Sequence, residues 1–182
     1  MSVNLDPANG VLTGEGVVET VRKISDLKGV FANEAAREQE DQDKVAYRVQ
    51  AYEPCPEGTP GAVCAATTFL EPGSVGGEYI LTRGHFHISE DRPELEVTIS
   101  GEGMLVLMTE DRVTRVEPMR AGSVHHVPPR TAHRVANTGS ETLVFVSYWA
   151  SETGHDYTTI REQGFSARVM DVDGAPQLVS VD

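Results

Sequence analysis

From Val45 onward the chain is a succession of short apolar or alternating runs separated by turn residues. The runs 45–52, 62–70, 77–83, 94–100, 103–109, 112–117, 123–127, 132–137, 142–149, 166–172 and 176–181 each have the length and texture of a strand. Glu110-Asp111, Arg120-Ala121-Gly122, Pro128-Pro129, Asn137-Thr138-Gly139 and Asp173-Gly174 supply the turn chemistry between them. Many short strands at close spacing predict an all-β sandwich or barrel, and after residue 50 no helical period competes with that reading. Upstream the pattern is weaker. Residues 1–13 read as a turn or tether, Val17, Val18 and Val21 fit either a short helix or an outer strand, and Ala32 to Lys44 reads as a solvated helix or lid. The expected organisation is an extension over residues 1–44 packed on a barrel of residues 45–182.

Composition narrows the partners. A chain of 182 residues with 39% hydrophobic content fits one domain with a sizeable core. Its formal net charge of −13, from 28 acidic and 15 basic residues, repels nucleic acid and anionic membrane surfaces. A charged-then-apolar leader and a long apolar run are both missing from the sequence, so a cytoplasmic protein with no membrane partner is expected. Cys55 and Cys64 flank a Pro- and Gly-rich loop and read as free thiols in such a setting.

The candidate chemistry begins at His85-Phe86-His87. Alternate side chains of a strand share a face, so the two imidazoles point the same way, and Glu94 and His133 from neighbouring strands can close the set. Three imidazoles and one carboxylate suit a divalent first-row metal, with positions left open if the ion prefers six ligands. By the same alternation Glu94 and Glu96 face one interior. A second buried carboxylate is costly unless it titrates, pairs or shares the metal; the alternative places Glu96 in water at the barrel mouth.

The first block, from His85 through Glu94 to Gly101, and the second, from Gly122 through His133 to Asn137, resemble the paired motifs of the cupin superfamily. This implies an all-β double-stranded β-helix, the jelly-roll barrel. The runs Gly77-Glu78-Tyr79, Thr82-Arg83-Gly84-His85-Phe86-His87, Arg130 to Asn137, Gly154-His155-Asp156-Tyr157 and Gly164-Phe165 more specifically resemble the archaeal-type cupin glucose-6-phosphate isomerases. The likeness spans roughly residues 52–172, with a fainter echo at Ser25 to Phe31.

That resemblance implies interconversion of glucose 6-phosphate and fructose 6-phosphate in glycolysis and gluconeogenesis, by a homodimer with one divalent metal per subunit, Fe(II) first and Mn, Ni or Zn as alternatives. The metal ligands fall on His85, His87, Glu94 and His133. Sugar-phosphate contacts fall on Thr68, Thr82 and Gly84, with Trp149 and Tyr157 beside the substrate, and the active-site histidine is His155. Glu94 is the family-based proton carrier, and Glu96 is the stronger candidate base if it is inward and unligated; a hydride shift would use the same ligands. Two departures stand out: Glu96 occupies a position where many members have Tyr, and Trp149-Ala150 replaces an aromatic residue followed by Pro. His125 and His126 carry no motif and read as structural or rim residues, and alternation turns Arg83 and Arg134 outward. A metal-dependent cupin dioxygenase and a non-catalytic sugar-binding cupin remain open, to be told apart by oxygen uptake and by unchanged product composition.

Overall fold

Residues 2–181 are described in a computed structural model. Strand formation follows the alternation closely. Val45–Tyr52, Val63–Leu70, Glu94–Ser100, Glu102–Thr109, Thr131–Asn137 and Leu143–Ala150 are long strands, and they supply half of one apolar core, including Leu70, Leu105, Leu107, Val135, Leu143 and Phe145.

Two sheets share these strands. The larger runs Val124–Val127, Glu94–Ser100, Leu143–Ala150, Val63–Leu70, Val45–Tyr52, Val17–Lys23; the smaller runs Thr114–Arg120, Glu102–Thr109, Thr131–Asn137. Strands consecutive in sequence therefore separate at Gly101, where the chain turns from one sheet to the other. Gly101 has φ +83, and a Cβ there would come within 2.7 Å of the Leu143 backbone, so the corner needs glycine. The two arms of this bent ribbon pair antiparallel with the arms of a second one: Glu102–Thr109 with Thr131–Asn137, and Glu94–Ser100 with Leu143–Ala150. This is the jelly-roll barrel of a cupin. Pro118 lies within Thr114–Arg120, an edge strand, where a missing N–H costs the sheet little.

Several local expectations shift. Val17–Lys23 is a strand, and it hydrogen-bonds to Val45–Tyr52, so pairing runs across the 44/45 boundary. The upstream helix is confined to Glu34–Gln39, capped by the Asn33 side chain, which accepts from the Ala36 N–H at 2.9 Å. The run 77–83 breaks into the short strand Glu78–Tyr79 and a bridge at Leu81. A helix also forms after residue 50, at Thr158–Gln163; its six residues are too few to declare a period in the sequence. Cys55 and Cys64 are free thiols. Among the described residues, no helix is long and apolar enough to cross a membrane.

Candidate functional site

The loop carrying the central motif lies flat along Thr131–Asn137. Leu81 bridges to Ala136 and His85 to His133, while the N–H groups of Thr82 and His85 donate to the carbonyls of Val135 and His133. Gly84 permits the close approach: it has φ +78, and a Cβ there would lie 2.9 Å from the Arg134 Cβ and 3.0 Å from the His133 carbonyl oxygen. The result brings the His85 ring to 4.4 Å from that of His133, centroid to centroid, with His87 5.2 Å from His133. Glu94, at the head of its strand, places Oε2 3.3 Å from His87 Nε2 and 3.5 Å from His133 Nε2. One donor atom from each of His85, His87, Glu94 and His133 lies within 4.8 Å of the others.

Hydrogen bonding shows that this set fits a cation. His87 Nδ1 lies 2.7 Å from the Arg92 carbonyl oxygen, which only accepts, so Nδ1 donates there and Nε2 is the ring atom turned to the carboxylate. Ring nitrogens and a carboxylate oxygen thus converge on one point, where a divalent cation would find four donor atoms. His85 Nε2 is buried without a partner. Burial first, then the neighbouring His133 and His155, push His85 well below the ordinary imidazole range, so a proton is a poor filler there at neutral pH. Burial alone would raise the Glu94 carboxyl, but His133, His87 and His85 outweigh it and hold Glu94 well below its usual value.

The other sequence-derived candidates converge on the same cavity, about 150 Å³ in volume, a size for a small molecule rather than a polymer. Thr68, Thr82, Gly84, Glu96, Trp149, His155 and Tyr157 all line it, together with three of the four cluster residues; His87 stands behind them. Thr82 Oγ1 accepts from the Val135 N–H at 3.0 Å, which fixes the hydroxyl and leaves its proton free to donate. His155 pairs with His87 through a two-residue ladder, its ring 4.6 Å from that of His85 and 5.8 Å from that of Trp149. Burial lowers the His155 imidazole, while Tyr157, 48% exposed, stands at the rim of the cavity. Glu96 is inside, not at the mouth: it is 2% exposed, and its Oε2 has no hydrogen-bond partner. Burial, then the charges of Glu94 and Glu117, raise its carboxyl well above the usual range.

Tyr47, Val49, Phe145 and Ser147 also line the cavity and were not singled out by motif. Strand register holds the signal that would have found three of them, since Val49 and Phe145 are the direct partners of Thr68 and Ser147 that of Glu96. His125 is a buried structural residue, 2.9 Å from Glu117 Oε2 and 2.8 Å from Ser123 Oγ, while His126 is exposed. Arg134 corrects the outward expectation in part. It turns away from the cluster but not into water: at 3% exposure its guanidinium covers the Phe165 ring at 4.3 Å and lies 3.5 Å from Glu78. Arg83 does reach outward, donating to the Asp26 carbonyl. A larger groove of about 480 Å³ lies against His87, but its Arg130 is already engaged by Glu90 and Glu110.

A jelly-roll barrel with three histidines and a carboxylate gathered in its interior defines the class as a cupin with a metal-binding cluster. A family model for glucose-6-phosphate isomerase (GPI) matches residues 21–179, and the chain belongs to that family, in its archaeal-type cupin form. It is 40% identical over 181 residues to glucose-6-phosphate isomerase of Pyrococcus horikoshii, covering 98% of this chain and 94% of that protein. Against the same-named protein of Thermococcus kodakarensis the identity is 41% over 180 residues, covering 98% and 93%. Among solved structures, oxalate decarboxylase from Bacillus subtilis at pH 4.6 overlaps with a TM-score of 0.48 at 23% identity, over 66% of this chain and 29% of that one.

Proposed function

We propose that this chain is a metal-dependent aldose–ketose isomerase that interconverts glucose 6-phosphate and fructose 6-phosphate. The observation that carries the reading is the full-length kinship joined to a four-residue cluster with an unengaged carboxylate beside it. Isomerisation removes the C2 hydrogen as a proton and returns a proton to C1, while the hydroxyl proton passes from O2 to O1. Glu96 is the base in this reading, because Glu94 is committed to the imidazoles and Glu96 Oε2 is not. His155, beside the cluster and Trp149, carries the hydroxyl proton between O2 and O1. A divalent cation held by His85, His87, Glu94 and His133 would supply positive charge next to those two oxygens.

In this reading the phosphate is received by hydroxyl and backbone donors; Arg83 and Arg134 also line the cavity, with their guanidinium groups turned to the Asp26 carbonyl and to Glu78. Thr68 and Thr82 line the cavity and bring hydroxyl donors to it, and the N–H of Gly84 lies between the Thr82 and His85 N–H groups already spent on the Thr131–Asn137 strand. Trp149 and Tyr157 bound the sugar on either side of His155. Fe(II) is the first ion to test, with Mn(II), Ni(II) and Zn(II) after it, and a cytoplasmic homodimer acting in glycolysis and gluconeogenesis completes the reading.

The test is a product assay by NMR on protein stripped of metal and reconstituted with each ion in turn. Each hexose phosphate is expected to yield the other, without oxygen uptake. Binding with unchanged sugar composition would make the chain a binding module, and oxygen consumption an oxygenase.

A further inference from the structure

On the far side of the Arg83–Gly84 wall lies a second cavity, of about 270 Å³, whose charge is opposite to that of the molecule around it. The whole chain holds 15 Lys and Arg, and five of them, Lys28, Arg83, Arg134, Arg161 and Arg168, line this one space. Among the described residues no acidic side chain lines it. The five come from separate stretches of sequence, so folding gathers like charges that the chain had kept apart, at a Coulombic cost unless an anion offsets it.

Internal compensation is partial. Glu78, 1% exposed, accepts from Arg168 at 2.9 Å and lies 3.5 Å from Arg134. Its Oε2 also accepts from the Ala32 N–H at 2.7 Å, so that one carboxylate is fully occupied. Among the described residues no ion pair involves Lys28, Arg83 or Arg161. The second sign is inside the wall: Nε of Arg134, on a side chain 3% exposed, is buried without a hydrogen-bond partner, and so is Nε of Arg168. Guanidinium groups with donors to spare suit a tetrahedral oxyanion, and Val30 and Ile160 offer apolar surface for a carbon skeleton.

We propose that this cavity is a second anion site, which takes a small phosphate-bearing metabolite separately from the sugar phosphate beside the metal cluster. Arg83, Gly84, Arg134 and Tyr157 line both cavities, so a ligand here bears on the loop that carries His85.

Inorganic phosphate is the probe, titrated into the full-length protein by calorimetry, with thermal melts confirming that each variant is folded. Arg161 and Lys28 are exposed and can be reversed without disturbing the core. Arg161→Glu and Lys28→Glu are each expected to weaken phosphate binding about tenfold, since charge reversal replaces attraction by repulsion. A Thr68→Val, Thr82→Val double variant is expected to bind it within twofold of wild type. Absence of saturable binding by the wild type at millimolar phosphate would overturn the proposal. So would unchanged affinity in both charge-reversed variants, or a larger loss in the threonine variant, which would put the anion in the metal cavity instead.

Discussion

At the scale of single residues, Glu96 shows how alternation and burial combine to make chemistry. Strand geometry alone sends Glu94 and Glu96 to the same face; the fold then buries both, engages one with imidazoles and leaves an oxygen of the other without a partner. Glu96→Gln keeps size and hydrogen bonding but cannot accept a proton. It is expected to lower kcat by roughly two to four orders of magnitude, the range for loss of a general base, with metal content intact. Wild-type kcat in that variant would remove Glu96 from the chemistry. Glu96→Tyr restores the residue common in the resembling family, and only if Glu96 merely binds the sugar should that variant match the wild type. Arg134 was less legible. Alternation gave its direction correctly, away from His133, yet no local pattern announces that Phe165, Ala167 and Glu78, distant in sequence, arrive to bury it.

Among the elements, those long enough to display a period were read directly, and the short ones were not. Val45–Tyr52 and Glu94–Ser100 coincide with their expected spans. Val17–Lys23 stayed ambiguous because it is an edge strand whose valines do not all turn inward; Val18 and Val21 are exposed. The Asn137-Thr138-Gly139 turn was evident from residue types, but its energetic role is visible only in three dimensions. Asn137, fully buried, donates to the carbonyls of Leu70 at 2.8 Å and Glu141 at 2.9 Å and accepts from the Gly139 N–H at 2.9 Å. It thus ties a strand of the small sheet to one of the large sheet. Asn137→Ala takes the amide donor from the Leu70 and Glu141 carbonyls, while the Gly139 N–H keeps the Glu102 carbonyl at 3.1 Å; a loss of about 1–3 kcal/mol is expected, read as a lower urea midpoint. A loss below about 0.5 kcal/mol, the level of an ordinary surface substitution, would mean the turn holds without it.

At the scale of the whole molecule, the cluster of His85, His87, Glu94 and His133 joins parts of the chain that are far apart, and each ligand is buried or half-buried. Without a cation the interior must hold a buried carboxylate among three imidazoles, with His85 Nε2 and His133 Nδ1 lacking a partner, so the ion is expected to serve the fold as well as the reaction. Metal that binds only the native state adds about 2.7 kcal/mol when its free concentration is a hundred times the dissociation constant. For a chain of this size that corresponds to a rise in Tm of roughly 5–10 °C over the chelated protein, since each kcal/mol shifts Tm by about 2–4 °C. His133→Ala removes one ligand and opens space rather than adding bulk, so the barrel should still form while the metal-dependent part of the shift disappears. Melting with and without added ion, alongside elemental analysis, separates the outcomes. A His133→Ala protein that retains both its metal and the full rise in Tm would show that the ion sits elsewhere, and would leave the four residues as a buried polar network with no cation at its centre.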